Sequence, residues 1–501
     1  TATAINNENP LPYIDRNVTG GLRYLRMHYQ YIMNTSNGDC GSLLIALSNY
    51  LPKKIIGIHV AGDATGKGYA VPLNIRDIED ALKDVPRDAQ IKIDLCRFEK
   101  EGGELSSIPD GDFTPAIKSN LLVASPSKTA LRKSMIHGKV LPVISAPAVL
   151  SRRVVLESGE IHDPVLAGLK KTGKIPPFMD PDLIKAAVND VLRLHQTSDK
   201  TRKRVLTNEE ALAGVSDDIY SNPLNRSSSP GYPWIKTRVG KGKMKWTSDP
   251  QGEYKMHEEL EKALIDRENM ALNNERYPTV WIDTLKDERR PLEKVRVGKT
   301  RVFAAGPMDY VVAARKYYLG FCAHVAENRI NNEIAVGINP YSFDWTHLAR
   351  HLKKFGLNVV AGDFGNFDGT LILQILDEIG KAINEWYGDG EENQQIRAIL
   401  WKELINSIHI EGDNIYLWTH GHPSGHPLTA ILNSLYNSVV CRIVFILCAR
   451  KVGKIVNMKD FNENVSMISY GDDNVLNISE RVVGWFNQHT MTEAFSEIGM
   501  D

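Results

Sequence analysis

The hydrophobic period of the chain changes several times, and each change marks an element. Val465, Met467 and Ile468 lead into Ser469-Tyr470-Gly471-Asp472-Asp473, and Val475, Leu476 and Ile478 follow. Two apolar runs around a short polar break with a glycine predict a β-hairpin with adjacent carboxylates at its tip. Upstream, Val359-Val360-Ala361-Gly362 predicts a strand that delivers Asp363 at its end. Apolar residues then recur at Ile372, Ile375, Leu376, Ile379, Ile383 and Trp386, the spacing of one helix face. A second helix carries Ile431, Leu432 and Leu435, with Thr429 and Asn433 four apart and so on one face. In the first hundred residues the runs are shorter and read as strands over 24–33, 43–45, 54–62 and 69–71. The composition shifts near 95–105, where Glu101-Gly102-Gly103-Glu104 is followed by Pro109-Asp110-Gly111-Asp112. This predicts a first domain over 1–95, a junction over 96–110 and a second domain over 111–501.

Composition narrows the picture only a little. With 501 residues there is enough chain for two or more cores. Sixty basic and 61 acidic residues give a net charge of −1, so any attraction for nucleic acid must be local. Five irregularly spaced cysteines argue against a disulfide framework or a zinc cluster. No transmembrane segment is expected, because the best apolar run, Ile443 to Ala449, is too short. The chain starts at Thr1 and stops at Asp501 within a helical pattern, as expected of a piece of something longer.

Candidate chemistry sits at the breaks in the pattern. Adjacent aspartates repel, and an ordinary solvated turn does not need both. A pair of divalent metals does, since hard cations take oxygen ligands and phosphoryl transfer uses two of them. Asp363, at the end of its strand, suits the same purpose. Asp368 is either a helix N-cap or a partner for a ribose hydroxyl. Ser424, Thr429 and Asn433 interrupt an apolar helix and its loop, and polar groups placed so need partners. Seven basic residues fall within 286–301, among them Lys286, Arg289, Lys299 and Arg301, and could line a triphosphate channel. His420, His422 and His426 sit close together, but the loop offers no second ligand set for a metal. In the first domain Gly38-Asp39-Cys40-Gly41 surrounds a reachable thiol with amides able to form an oxyanion hole, and His59 lies on a later strand.

The basic stretch, Asp363-x4-Asp368, Pro423-Ser424-Gly425 with Thr429 and Asn433, and Tyr470-Gly471-Asp472-Asp473 occur in the order of motifs F, A, B and C. From about 100 to 501 the chain resembles the RNA-dependent RNA polymerases of picorna-like viruses, dicistroviruses first and iflaviruses next. Ser228 to Trp234 is similar to the template-guiding motif G. Gly-Asp-Cys-Gly and Gly57-Ile58-His59-Val60 resemble the C-terminal barrel of 3C-type cysteine proteases. The resemblance implies an α+β multidomain chain, a partial chymotrypsin-like β-barrel followed by polymerase fingers and a ferredoxin-like antiparallel palm sheet. It implies Asp363, Asp472 and Asp473 as ligands of Mg²⁺, with Mn²⁺ as a substitute. Lys286, Arg289, Lys299 and Arg301 would meet the triphosphate, and Asp368, Ser424, Thr429 and Asn433 the nucleotide sugar. Cys40 would be the protease nucleophile, with Thr35 and His59 in the pocket that reads a P1 Gln or Glu. Implied partners are RNA template and primer, nucleoside triphosphates, a protein primer and other viral replication proteins. The implied location is the host cytoplasm, at membrane-associated replication complexes. Two departures are expected. Only 39 residues precede Cys40, too few for the protease's base, so the piece should cleave nothing. The likeness stops at the start of motif D, before a thumb. The rival readings are a reverse transcriptase and a piece that binds RNA or proteins without turnover.

Overall fold

The computed structural model describes residues 128–500 except 157, 173–175, 241 and 419, together with residues 73 and 76 and the strand segments between 2 and 123. Cys40 and Thr35 lie outside the described residues, as does most of the expected junction. The chain divides into two compact units, Thr1–Ile91 and Lys92–Asp501.

The first unit is built on a five-stranded antiparallel sheet. Its order is Ala2–Ile5, His28–Ile32, Lys67–Pro72, Ile55–Gly62, Leu43–Ile45. The expected strand over 24–33 is divided in two, since Leu22–Leu25 pairs instead with Leu11–Ile14 in a separate hairpin.

Among the described residues the second unit holds two main sheets and two short two-stranded ones. The larger orders Val302–Ala305, Val280–Leu285, Ile408–Leu417, Ala116–Val123 and Leu105–Ser106. The pair Val280–Leu285 and Ile408–Leu417 is parallel, and the other pairs are antiparallel. Leu105–Ser106, from the stretch expected to be a junction, is thus paired in this sheet. Val280, Ile282, Ile408, Ile410 and Ile415 form its buried core.

The smaller sheet carries the carboxylates. Val465–Tyr470 and Asp473–Ile478 form the expected hairpin, and Val359–Gly362 pairs antiparallel on the far side of Asp473–Ile478. One face is covered by the Thr429–Lys451 helix, which in turn packs on Pro181–Arg193. The expected helix after Asp363 appears as Leu373–Tyr387, burying Ile375, Leu376, Ile379, Ile383 and Trp386. It ends at Gly388, whose φ of +55° is the left-handed C-cap conformation that glycine adopts freely. Pro181–Arg193 starts by the matching rule: the Asp180 carboxylate accepts the Asp182 amide at 3.0 Å and Pro181 fills the first turn.

One expectation needs correction. Thr429–Lys451 is 23 residues long with a mean hydropathy of 1.7 over its most apolar window, long and apolar enough to cross a membrane. The sequence reading stopped the run at Arg442. In the fold that arginine is fully buried against Glu333 and Asp190, and 94% of the window is buried inside the protein. An apolar surface on every side of a helix marks either a lipid span or a core helix, and protein covers this one.

Candidate active site

The hairpin tip is a two-residue turn. Tyr470 pairs with Asp473, leaving Gly471 and Asp472 as the central residues. Gly471 has a φ of +65° while Asp472 stays at negative φ, the pattern of a type II′ turn with glycine first. On the neighbouring strand Gly362 pairs with Asn474, so Asp363, the next residue, lies opposite Asp473 where the ladder ends. A Cβ at Gly362 would sit 2.9 Å from the Asn474 side-chain oxygen, so a larger residue there would push the strand that carries Asp363 away. Asp363, Asp472 and Asp473 are exposed at one end of one sheet. Lost hydration and then the neighbouring charges of Asp473, Asp368 and Asp363 raise the Asp472 pKa above the usual carboxylate range. The four carboxylates therefore share one electrostatic site.

Polar residues of the Thr429–Lys451 helix hold that tip from behind. The Ser434 hydroxyl accepts the Gly471 amide at 2.8 Å. Fully buried Asn437 donates from Nδ2 to the Asp472 carbonyl at 2.9 Å and the Gly471 carbonyl at 3.2 Å. Its Oδ1 accepts the Asn474 amide at 3.1 Å. Ser438 and Arg442, one and two turns on, bond to Glu333, whose carbonyl accepts the Ser469 amide at 2.9 Å. Ser434, Ser438 and Arg442, spaced four apart, and Asn437 beside Ser438 thus contribute to the hairpin's frame. The sequence reading singled out Asn433 and missed Asn437, although an asparagine one turn on from a functional one was visible.

Asp368 does not cap a helix. It lies in the first turn of Phe367–Thr370, whose N-cap is Asn366 with a φ of +60°. Its carboxylate Oδ1 instead accepts Asn433 Nδ2 at 2.6 Å. The backbone amide of Ala304, on the basic strand, donates to Ser424 Oγ at 3.4 Å. The Thr429 hydroxyl faces the carbonyls of Ser424 and His426, at 3.0 and 2.8 Å, and so braces the loop. His420, His422 and His426 are all buried, and their rings are packing or hydrogen-bonding groups.

Lys286, Arg289, Lys299 and Arg301 are all exposed. Arg301 forms a fork with Glu288, with Nε donating at 2.6 Å. Glu288, and after it the charges of Asp472 and Asp368, raise the arginine's pKa, so its guanidinium feels the charge of these carboxylates. Lys286 and Arg290 also approach Glu288, each at 3.8 Å. Arg290 rather than Arg289 turns toward this cluster. On a strand neighbouring residues face opposite ways, and the sequence did not reveal which parity Arg289–Pro291 would take. Burial, and after it the charges of Lys299 and Arg290, lower the pKa of Lys171.

In the first unit, His59 is buried and its Nδ1 lies 2.5 Å from the Tyr31 hydroxyl across the sheet.

Residues 145–501 match the family model of the viral RNA-dependent RNA polymerase. The chain belongs to this family. It is 40% identical over 512 residues to the replicase polyprotein of Acute bee paralysis virus, covering 97% of this chain and 27% of the relative. It is 42% identical over 497 residues to that of Cricket paralysis virus, covering 94% and 28%. The polymerase chain thus spans about a quarter of the curated relatives it matches. In fold it resembles the Sicinivirus 3Dpol RNA dependent RNA polymerase, with a TM-score of 0.61, 22% identity, and coverage of 78% and 74% of the two chains. The expected picorna-like polyprotein kinship is therefore shown.

Proposed function

We propose that this chain carries the catalytic sheet, nucleotide pocket and triphosphate channel of a template-directed RNA polymerase. The observation that carries the reading is one junction. Asn433 holds Asp368 at 2.6 Å, and the charges of Asp368 and Asp472 both reach Arg301, which is itself held by Glu288. In this reading a sugar-reading pair, a phosphate-binding cation and a carboxylate cluster serve one site at one end of the sheet. The support comes from these contacts together with the family match.

The donor set fits Mg²⁺. Asp363, Asp472 and Asp473 offer only hard oxygens, and their mutual repulsion favours a bound divalent cation. Among the described residues no three such side chains are already closed around one point, so the carboxylates would turn inward on binding. Two bound ions would activate a primer 3′-hydroxyl and neutralise the leaving pyrophosphate. Arg301, Lys286, Arg290 and Lys299 would take the remaining phosphate charge, with Arg301 exchanging Glu288 for phosphate oxygens. Asp368 and Asn433 would accept a ribose and reject a deoxyribose, which separates this reading from a reverse transcriptase. Asn437 and Ser434 would keep the hairpin backbone fixed while its charges are neutralised.

The reading is tested by primer extension with the full-length enzyme that contains this chain. Ribonucleotide addition that needs Mg²⁺ and is abolished by Asp472→Ala is expected. Addition that survives Asp472→Ala, or a preference for deoxynucleotides, refutes it. For the first unit, the proposed reading is part of a protease barrel in which His59 would read a P1 Gln or Glu, and the Tyr31–His59 bond that holds the buried ring supports it. A peptide with a P1 Gln is expected to bind the wild type more tightly than His59→Ala; equal binding would contradict the reading.

A further inference from the structure

Three buried histidines precede the Thr429–Lys451 helix, and their surroundings differ. His426 Nδ1 accepts the Leu428 amide at 3.0 Å, and its ring lies against Trp281 and Tyr310. His420 is buried near Thr172, away from any carboxylate contact recorded for its ring. His422 lies directly beneath the sugar-reading pair. Its ring is fully buried, with Nε2 2.6 Å from Asn433 Oδ1 and 3.7 Å from Asp368 Oδ1. Nδ1 faces the Pro423 carbonyl at 3.1 Å, and the His422 backbone amide donates to the Asp368 carbonyl at 3.3 Å. The ring thus meets both Asn433 and Asp368, and the backbone amide is tied to Asp368 as well.

The donor and acceptor counts fix what the ring does. A side-chain amide has a donating end and an accepting end. The Asp368 carboxylate only accepts, so Asn433 must turn Nδ2 toward it. Asn433 Oδ1 then faces His422, and its 2.6 Å contact, shorter than the 3.1 Å from Nδ1 to the Pro423 carbonyl, puts a hydrogen on Nε2. Without a donor there, the buried Oδ1 is left unpaired and the amide loses its preference for the orientation that holds Asp368. We infer that His422 is a positioning residue for sugar selection: it locks the Asn433 amide so that Asp368 is held ready for a 2′-hydroxyl. This inference rests on the polymerase reading above and adds a residue to it. Asp368 keeps 37% of its side chain exposed, leaving it accessible to a ribose.

The test compares a ribonucleotide with its 2′-deoxy counterpart in the full-length enzyme, using wild type, His422→Leu and His422→Gln. His422→Leu is expected to lower the ratio of the two kcat/KM values about tenfold, mostly through the ribonucleotide. His422→Gln, whose amide nitrogen can donate from the same place, should stay within about threefold of wild type. In an Asn433→Ala background, His422→Leu should change the ratio no further. If His422→Leu slows both nucleotides equally and leaves the ratio unchanged, the histidine only supports the fold and the inference is overturned. Should that variant fail to fold, ¹⁵N-histidine NMR of the wild type decides. A protonated Nε2 at His422 is expected, and a bare Nε2 overturns the inference. A wild type that adds no ribonucleotide overturns the polymerase reading itself, and this inference with it.

Discussion

Asn437 offers a sharp test of how the catalytic turn is held. It touches no substrate in this account, yet it donates to the Asp472 and Gly471 carbonyls at 2.9 and 3.2 Å and accepts from Asn474 at 3.1 Å. Asn437→Ala removes these three bonds at a fully buried position, together with longer contacts to the Asp473 carbonyl and from the Cys441 thiol. Each bond contributes about 0.5–1.5 kcal/mol net, and each buried partner left unpaired costs roughly 1–3 kcal/mol. Some of the freed carbonyls lie at the exposed tip and regain water, so a total of about 2–4 kcal/mol is expected. The effect on catalysis should be larger than the effect on folding suggests. A turn released by about 1 Å misplaces Asp472, and such a shift costs on the order of a hundredfold in rate. Single-turnover nucleotide addition, run across a Mg²⁺ titration beside a thermal melt, reads both effects. The predicted result is a slower maximal rate and a higher Mg²⁺ requirement, with the nucleotide KM little changed. A variant that melts early but adds nucleotides at the wild-type rate and Mg²⁺ requirement would show that the hairpin holds its own geometry.

Other consequences follow from the same contacts. Because the fold raises the Asp472 pKa, it disfavours the charged form: this group's stabilising contribution is present at low pH and lost as pH rises through its titration. Asp472→Asn should therefore melt higher than wild type without Mg²⁺ at neutral pH, with the gap closing in acid, while nucleotide addition is lost; a melt unchanged at every pH would remove the repulsion from the account. Arg301→Gln should lower kcat/KM for the triphosphate roughly ten- to a hundredfold, with a weaker salt dependence, since it removes a charged hydrogen-bonding partner; unchanged steady-state kinetics would place the phosphates elsewhere. Arg267 is buried between Asp309 and Glu403, and Arg267→Met leaves both acids without their ion-pair partner, with only neutral donors such as Trp234 and Tyr277 remaining. A loss of about 3–5 kcal/mol is expected, visible as an early melt or insoluble protein; a wild-type melting midpoint would contradict it.

The sequence revealed the residues that must be exposed to do chemistry and concealed those that hold them. Asp363, Asp472 and Asp473 stood out because carboxylates at strand ends and turns have little structural reason to be there. Asp368 and Asn433 stood out as polar groups in need of partners, and the structure pairs them with each other. Asn437 is equally polar and mid-helix, but its partners are backbone carbonyls of a hairpin tens of residues away, which no local pattern encodes. Arg289 and Arg290 were indistinguishable until the parity of a three-residue strand was known. The Thr429–Lys451 helix was underestimated because Arg442 broke its apolar run, whereas Glu333 and Asp190 make that arginine a core residue. Leu105–Ser106 lay in a stretch whose composition reads as linker, and pairing with Ala116–Val123 overrides that composition.

The central claim is that the carboxylates at the end of this sheet hold the metals of nucleotidyl transfer. The most direct measurement is a crystal structure of the full-length enzyme with RNA, Mg²⁺ and a non-hydrolysable ribonucleoside triphosphate. The account predicts two cations about 3.5–4 Å apart bridged by Asp363 and Asp472, with Mg–O distances of about 2.1 Å. It also predicts the triphosphate against Arg301 and the ribose against Asp368. A nucleotide bound elsewhere, with these aspartates free of metal, would contradict it and leave Asp472 and Asp473 as an ordinary acidic turn.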